Sequence, residues 1–90
     1  MKYRSKTEII VAMLETAASG RVNKTRIMYG ALLSFNQLKG YLPLLIDEGL
    51  LEVDKTNGTF KTTPKGMHFL QICTEMDTLY FPVAAAKTSG

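Results

Sequence analysis

The tetrapeptide Lys55-Thr56-Asn57-Gly58 constrains the fold more than any other stretch of this chain. Asn-Gly is the strongest short-range hairpin signal, because both positions tolerate positive φ. Before it, Leu50 to Asp54 reads as a strand with Leu51 and Val53 on one face. After it, Thr59 to Thr62 returns, with Phe60 and Thr62 alternating likewise. What this hairpin packs against is decided by the segments on either side of it, and those are patterned as helices.

Ser5-Lys6-Thr7-Glu8 is a capping box, and behind it Ile9, Ile10, Met13, Leu14 and Ala17 recur at helical spacing. This predicts a first helix over about 6–19, with Gly20 as its left-handed stop. Asn23 caps a short second helix over about 24–30 that buries Ile27 and Met28, and Gly30 weakens any continuation. A second capping box, Ser34-Phe35-Asn36-Gln37, opens a third helix over about 35–48. Phe35, Leu38, Leu42 and Leu45 share its apolar stripe, and Gly49 ends it. Thr63 caps a fourth helix and Pro64 takes its first position, where the missing N–H costs nothing. That helix runs to about residue 81, ahead of Pro82. Two short helices joined by a tight turn, then a hairpin, then a helix, make a winged helix-turn-helix. The expected fold is mainly helical (α+β): three helices, a two-stranded wing over about 52–62 and a C-terminal fourth helix over about 64–81. Residues 1–81 are expected to form one domain and residues 82–90 a flexible tail.

Several function classes drop out. His68 is the only histidine and Cys73 the only cysteine, which excludes an internal disulfide and a cysteine-rich zinc site. Asp47 and Glu48 are neighbours pointing in different directions, not an acid–base dyad, and no glycine-rich phosphate loop occurs. The expectation is a protein that is not an enzyme, with no cofactor, no metal and no small-molecule ligand. No apolar run approaches the roughly 18 residues of a membrane span, and the charged start (Lys2, Arg4, Lys6, Glu8) is unlike a secretory signal. With the lone thiol, this gives a cytoplasmic expectation and no membrane partner. Charge is distributed unevenly. Residues 1–46 hold seven Lys/Arg against two Glu, and residues 47–90 four Lys against six Asp/Glu. Such asymmetry suits one face addressing a polyanion, usually nucleic acid, although ordinary solubilising charge gives the same count.

Thr25-Arg26-Ile27-Met28-Tyr29, Ser34-Phe35-Asn36-Gln37-Leu38 and the run from Tyr41-Leu42 through Leu45 to Gly49-Leu50-Leu51 carry a resemblance. So do Phe60-Lys61-Thr62-Thr63, Lys65-Gly66 and Phe69-Leu70. Over about residues 3–80 the chain resembles the archaeal winged-helix family of small chromatin-like and regulatory DNA-binding proteins. The resemblance implies double-stranded DNA as partner, the third helix in the major groove, the wing on the backbone, and a homodimer formed through a long C-terminal helix. It also implies residence on the nucleoid. The chain departs from the family pattern at Leu32, where the interhelical turn would take a polar residue, at Pro43 inside the third helix, and in a fourth helix that ends early.

The residues themselves nominate an interface. On the third helix, Asn36 and Gln37 carry amides that can pair with adenine edges. Lys39 can reach guanine or phosphate, and Gly40 lets the helix approach a duplex closely; a solvated helical face is the plainer reading. Ser34 and Gln37 also belong to the capping box, which would turn Gln37 back toward the Ser34 amide. Tyr41 packs at the core edge or reaches a sugar or phosphate. Lys24 and Arg26 in the first turn of the second helix can clamp phosphate. On the wing, Lys55, Asn57 and Lys61 can touch phosphate or minor groove, unless Glu52 and Asp54 hold the lysines in surface pairs. On the fourth helix, Phe69, Ile72, Cys73, Met76, Leu79 and Tyr80 cover more than one apolar stripe, and the excess suggests a dimer interface. The leading expectation is a winged-helix transcriptional regulator or chromatin-like factor. The alternative is a winged-helix protein-interaction module without DNA binding, since fold does not dictate function.

Overall fold

Both capping boxes form. The Ser5 hydroxyl accepts the Glu8 N–H at 3.0 Å while the Glu8 carboxylate accepts the Ser5 N–H at 2.9 Å. The Ser34 hydroxyl and the Gln37 side-chain carbonyl do the same at 3.1 and 3.0 Å. These caps start two of the four helices in the computed structural model, which describes the backbone of residues 5–80 and the side chains of residues 5–75. The element order is α1 (Lys6–Thr16), β1 (Val22–Asn23), α2 (Lys24–Gly30), α3 (Phe35–Asp47), β2 (Leu51–Asp54), β3 (Thr59–Thr62) and α4 (Pro64–Tyr80). The sheet is antiparallel, in the order β1-β3-β2.

The sequence points to a two-stranded wing; the sheet has a third strand. Val22 and Asn23 pair with Phe60 and Thr59. Two residues show no alternation, and Asn23 doubles as the α2 cap, its side chain accepting the Arg26 N–H at 2.8 Å. Only the distant partner strand reveals β1. The expected extent of α1 is also corrected: it ends at Thr16 with Ala17 as its C-cap, short of Gly20. The sheet takes over the last carbonyls of the helix. The Thr62 N–H donates to the Ala17 carbonyl at 3.1 Å, and the buried Thr62 hydroxyl donates to the Leu14 carbonyl at 2.7 Å.

The core gathers Met13 and Leu14 of α1, Ile27 of α2, Leu38, Leu42 and Leu45 of α3, and Leu51 and Phe60 of the sheet. Phe35, expected on the same stripe, is instead 63% exposed. The inner face of α3 closes on its three leucines without a fourth large side chain.

Two turns share one hydrogen-bond pattern and fix how α3 is held. At the end of α3, Gly49 (φ +77°) lets its N–H reach the Ile46 carbonyl at 3.0 Å, and the Leu50 N–H reaches Leu45 at 2.9 Å. This is a Schellman motif. At the end of α2 the Leu33 N–H reaches the Met28 carbonyl at 2.9 Å and the Leu32 N–H reaches Tyr29 at 3.3 Å. There the left-handed position is filled by Leu32 (φ +56°), not glycine. Behind α3, the Thr63 hydroxyl donates to the Gly49 carbonyl at 2.6 Å and accepts the Gly66 N–H at 3.0 Å. Gly66 is required by space: a Cβ there would lie 2.4 Å from the Leu50 carbonyl oxygen. The α4 start is thus clamped to the α3–β2 junction.

Candidate nucleic-acid interface

α3 runs unbroken through Pro43. Pro43 is exposed, so the Lys39 carbonyl, which loses its helical donor there, lies on the solvent side where water can satisfy it. The outer surface of α3 forms a ridge with a groove on each flank. On the wing side, a groove of about 490 Å³ is floored by Leu38, Leu42, Val53 and Phe60 and walled by Phe35 and Pro43. Lys24 of α2, Lys39 of α3 and Lys55 of the wing turn stand on its rim with Asp47. On the other side, Asn36, Gln37, Gly40, Tyr41 and Leu44 line a shallower groove of about 380 Å³ together with Lys6 from the start of α1.

Three elements distant in sequence therefore deliver Lys24, Lys39 and Lys55 to one groove. All three are exposed, and none enters an ion pair among the described residues. The carboxylates that could have held the wing lysines are engaged elsewhere. Glu52 pairs with Arg21 at 3.5 Å. Asp54 accepts the Thr56 and Asn57 N–H groups at 3.0 and 3.4 Å and the Asn57 side-chain amide at 2.9 Å. That amide, followed by burial acting the other way and by the two backbone donors, leaves the Asp54 carboxyl below the usual aspartate value.

The wing strands end and resume where the sequence places them, at Asp54 and Thr59. Asn57 and Gly58 both tolerate positive φ, yet among the described turn residues only Gly58 takes it (φ +65°). The loop is a four-residue one, closed by the Gly58 N–H on the Asp54 carbonyl at 2.7 Å. Asn57 is consequently tied to Asp54 and is not a free tip.

The other nominated residues divide. Arg26 is exposed in the first turn of α2, outside both grooves, and its backbone N–H is taken by Asn23. Lys61 alternates with the buried Phe60 and Thr62, so it projects from the opposite face of the sheet, in register with Glu52. Ser34 and Gln37 are locked to each other. Asn36 and Gly40 are exposed, and a Cβ on Gly40 would meet no protein atom within 4 Å. Tyr41 is half-buried against the core. Sequence reading missed the prominence of Phe35, whose ring lies 5.8 Å from the Lys39 ammonium. The i,i+4 spacing of the two was legible; that Leu38, Leu42 and Leu45 alone fill the core side of α3 was not.

On α4, Phe69 packs against the core of its own chain and Cys73 is half-buried beside α1, lining a groove with Glu8, Val11 and Ala12. Ile72 is exposed. The nominated Met76, Leu79 and Tyr80 lie outside the residues whose side chains are described, and residues 82–90, the expected tail, lie outside the described backbone. Among the described residues no three His, Cys, Asp or Glu side chains gather as metal ligands, and no helix is long and apolar enough to cross a membrane.

A helical pair with a left-handed turn, a three-stranded wing sheet and a long following helix define a winged-helix protein. The winged helix-turn-helix family model matches residues 3–80, and the chain belongs to that family. It is 33% identical over 79 residues to the uncharacterized protein MJ0290 of Methanocaldococcus jannaschii; the match covers 88% of this chain but spans only 36% of that protein's length. Among solved structures, Sso10a-2, a DNA-binding protein from Sulfolobus solfataricus, has the same fold, with a TM-score of 0.78 at 24% identity. The superposition covers 96% of this chain and 92% of that one. Both relatives are archaeal.

Proposed function

We propose that this domain binds double-stranded DNA, with α3 in the major groove and the wing turn on the adjacent backbone, as a transcriptional regulator or chromatin-like factor. The observation that carries this reading is the convergence of Lys24, Lys39 and Lys55, from three elements, on the groove between α3 and the wing. Lysines that enter no ion pair and share one rim form an electrostatic footprint for a phosphate backbone. Family membership and the DNA-binding protein of the same fold support it. The role is non-enzymatic and cytoplasmic, on the nucleoid, and two copies joined through α4 would offer two α3 helices to successive half-sites.

Fluorescence anisotropy of a labelled random-sequence duplex, titrated across a salt series, tests this. Each phosphate contact adds about −0.9 to the slope of log affinity against log salt, so three lysines contribute about −2.7. Lys39→Ala weakens binding to every duplex and flattens the slope by one contact. Absence of binding at the lowest salt, by folded protein, contradicts the proposal. A second reading, a protein-interaction module, is favoured by the exposed Tyr29, Leu32 and Phe35 at the α2–α3 turn; such a module would bind no duplex at any salt.

A further inference from the structure

We infer that Phe35 sets the sequence preference of the interface by packing against the C5-methyl group of thymine. The inference rests on the DNA reading above and deepens it. Phe35 occupies the first position of α3, and it is the N-terminal residues of a recognition helix that reach base edges. Its ring is 63% exposed while the core beneath closes on Leu38, Leu42 and Leu45, so packing within the chain does not account for it. The Lys39 ammonium, 5.8 Å from the ring centroid, sits over the ring in a cation–π contact that restrains it, while most of the residue stays open to solvent.

The hydrogen-bonding groups beside it are partly committed. Ser34 and Gln37 are bonded reciprocally in the cap at 3.0 and 3.1 Å, which takes up the Gln37 side-chain carbonyl and leaves Asn36 as the first-turn amide that can offer donor and acceptor together. What α3 brings to a major groove at this end is therefore one amide able to bond bidentately, one ammonium and a large apolar ring. Among base edges in that groove, the thymine methyl is the one apolar feature. A ring held beside Asn36 fits an A·T step, with the amide on adenine and the ring on the methyl of a neighbouring thymine.

The test uses the whole chain and two duplexes of identical A·T-rich sequence, one with thymine and one with deoxyuridine throughout. This exchange removes the methyl groups and keeps every hydrogen-bonding atom. Binding to the uracil duplex is expected to weaken by about 4-fold for each methyl contacted, the value for one buried carbon group. Phe35→Ala, at an exposed position, keeps the thermal stability of the parent, binds the thymine duplex as weakly as the uracil one, and loses the distinction. Phe35→Leu retains part of it. Equal and tight binding of both duplexes by the parent overturns the inference and leaves DNA binding standing; binding to neither overturns both. A thymine preference that survives Phe35→Ala places methyl reading elsewhere. If Phe35→Ala instead converts a self-associated parent into a smaller sedimenting species while preserving the preference, Phe35 belongs to a contact between copies and the inference fails.

Discussion

Gly40→Ala separates what this protein needs in order to fold from what it needs in order to bind. Gly40 sits in the sixth position of a 13-residue helix, exposed, with no protein atom within 4 Å of where a Cβ would stand. In an exposed helix interior, glycine is about 0.8–1.0 kcal/mol less favourable than alanine. The substitution therefore stabilises the fold by about 1 kcal/mol, which raises Tm by roughly 4–8 °C for a domain of this size. On the bound side the sign reverses. If the ridge of α3 carrying Gly40 lies against a duplex, the added methyl overpacks that contact at about 1–3 kcal/mol, or roughly 5- to 150-fold in Kd. Thermal melting monitored by circular dichroism and anisotropy with one duplex measure both effects on the same preparation. A raised Tm with unchanged affinity refutes the placement of this ridge in the interface. A lowered Tm refutes the account of the helix itself.

The wing and its supports give further expectations. Thr62→Val keeps the shape of a buried side chain but leaves the Leu14 carbonyl without the hydroxyl at 2.7 Å, so chemical denaturation should show a loss of about 1–3 kcal/mol. Leu32→Asn should stabilise by up to about 1 kcal/mol in the same assay, because a left-handed L-residue costs about 1–2 kcal/mol and Leu32 is 80% exposed, leaving little burial to lose. The lowered Asp54 value implies a contribution to stability that is complete above the ordinary aspartate pKa of about 3.9 and is lost as pH falls through the lower folded value. Stability measured through this acid range should fall less steeply in Asp54→Asn than in the parent.

Local chemistry made most of the architecture readable. Caps at Ser5, Asn23, Ser34 and Thr63 and the stop at Gly49 are decided within a few residues, and each appears where its hydrogen bonds can form. What was hidden depends on partners far along the chain. β1 exists because β3 offers it an edge, and α1 stops early because Thr62, 48 residues from Leu14, claims its carbonyl. The lysines of the candidate interface were nameable one by one. Their division was not, since the path of the four-residue turn sends Lys55 to the groove while the alternation of β3 sends Lys61 to the opposite face. Phe35 was misplaced because helical periodicity counts apolar positions and cannot know that three leucines already fill the space.

The central claim is a location: the surface made by α3 and the wing turn meets the duplex. Mapping backbone amide chemical shifts during titration of the isotope-labelled chain with a short random-sequence duplex tests it most directly. The account predicts large shifts at Lys24, Asn36, Lys39, Gly40 and Lys55, with little change at Cys73 or Lys61. Shifts concentrated on α4 or on the outer face of the sheet, with α3 unmoved, would contradict it.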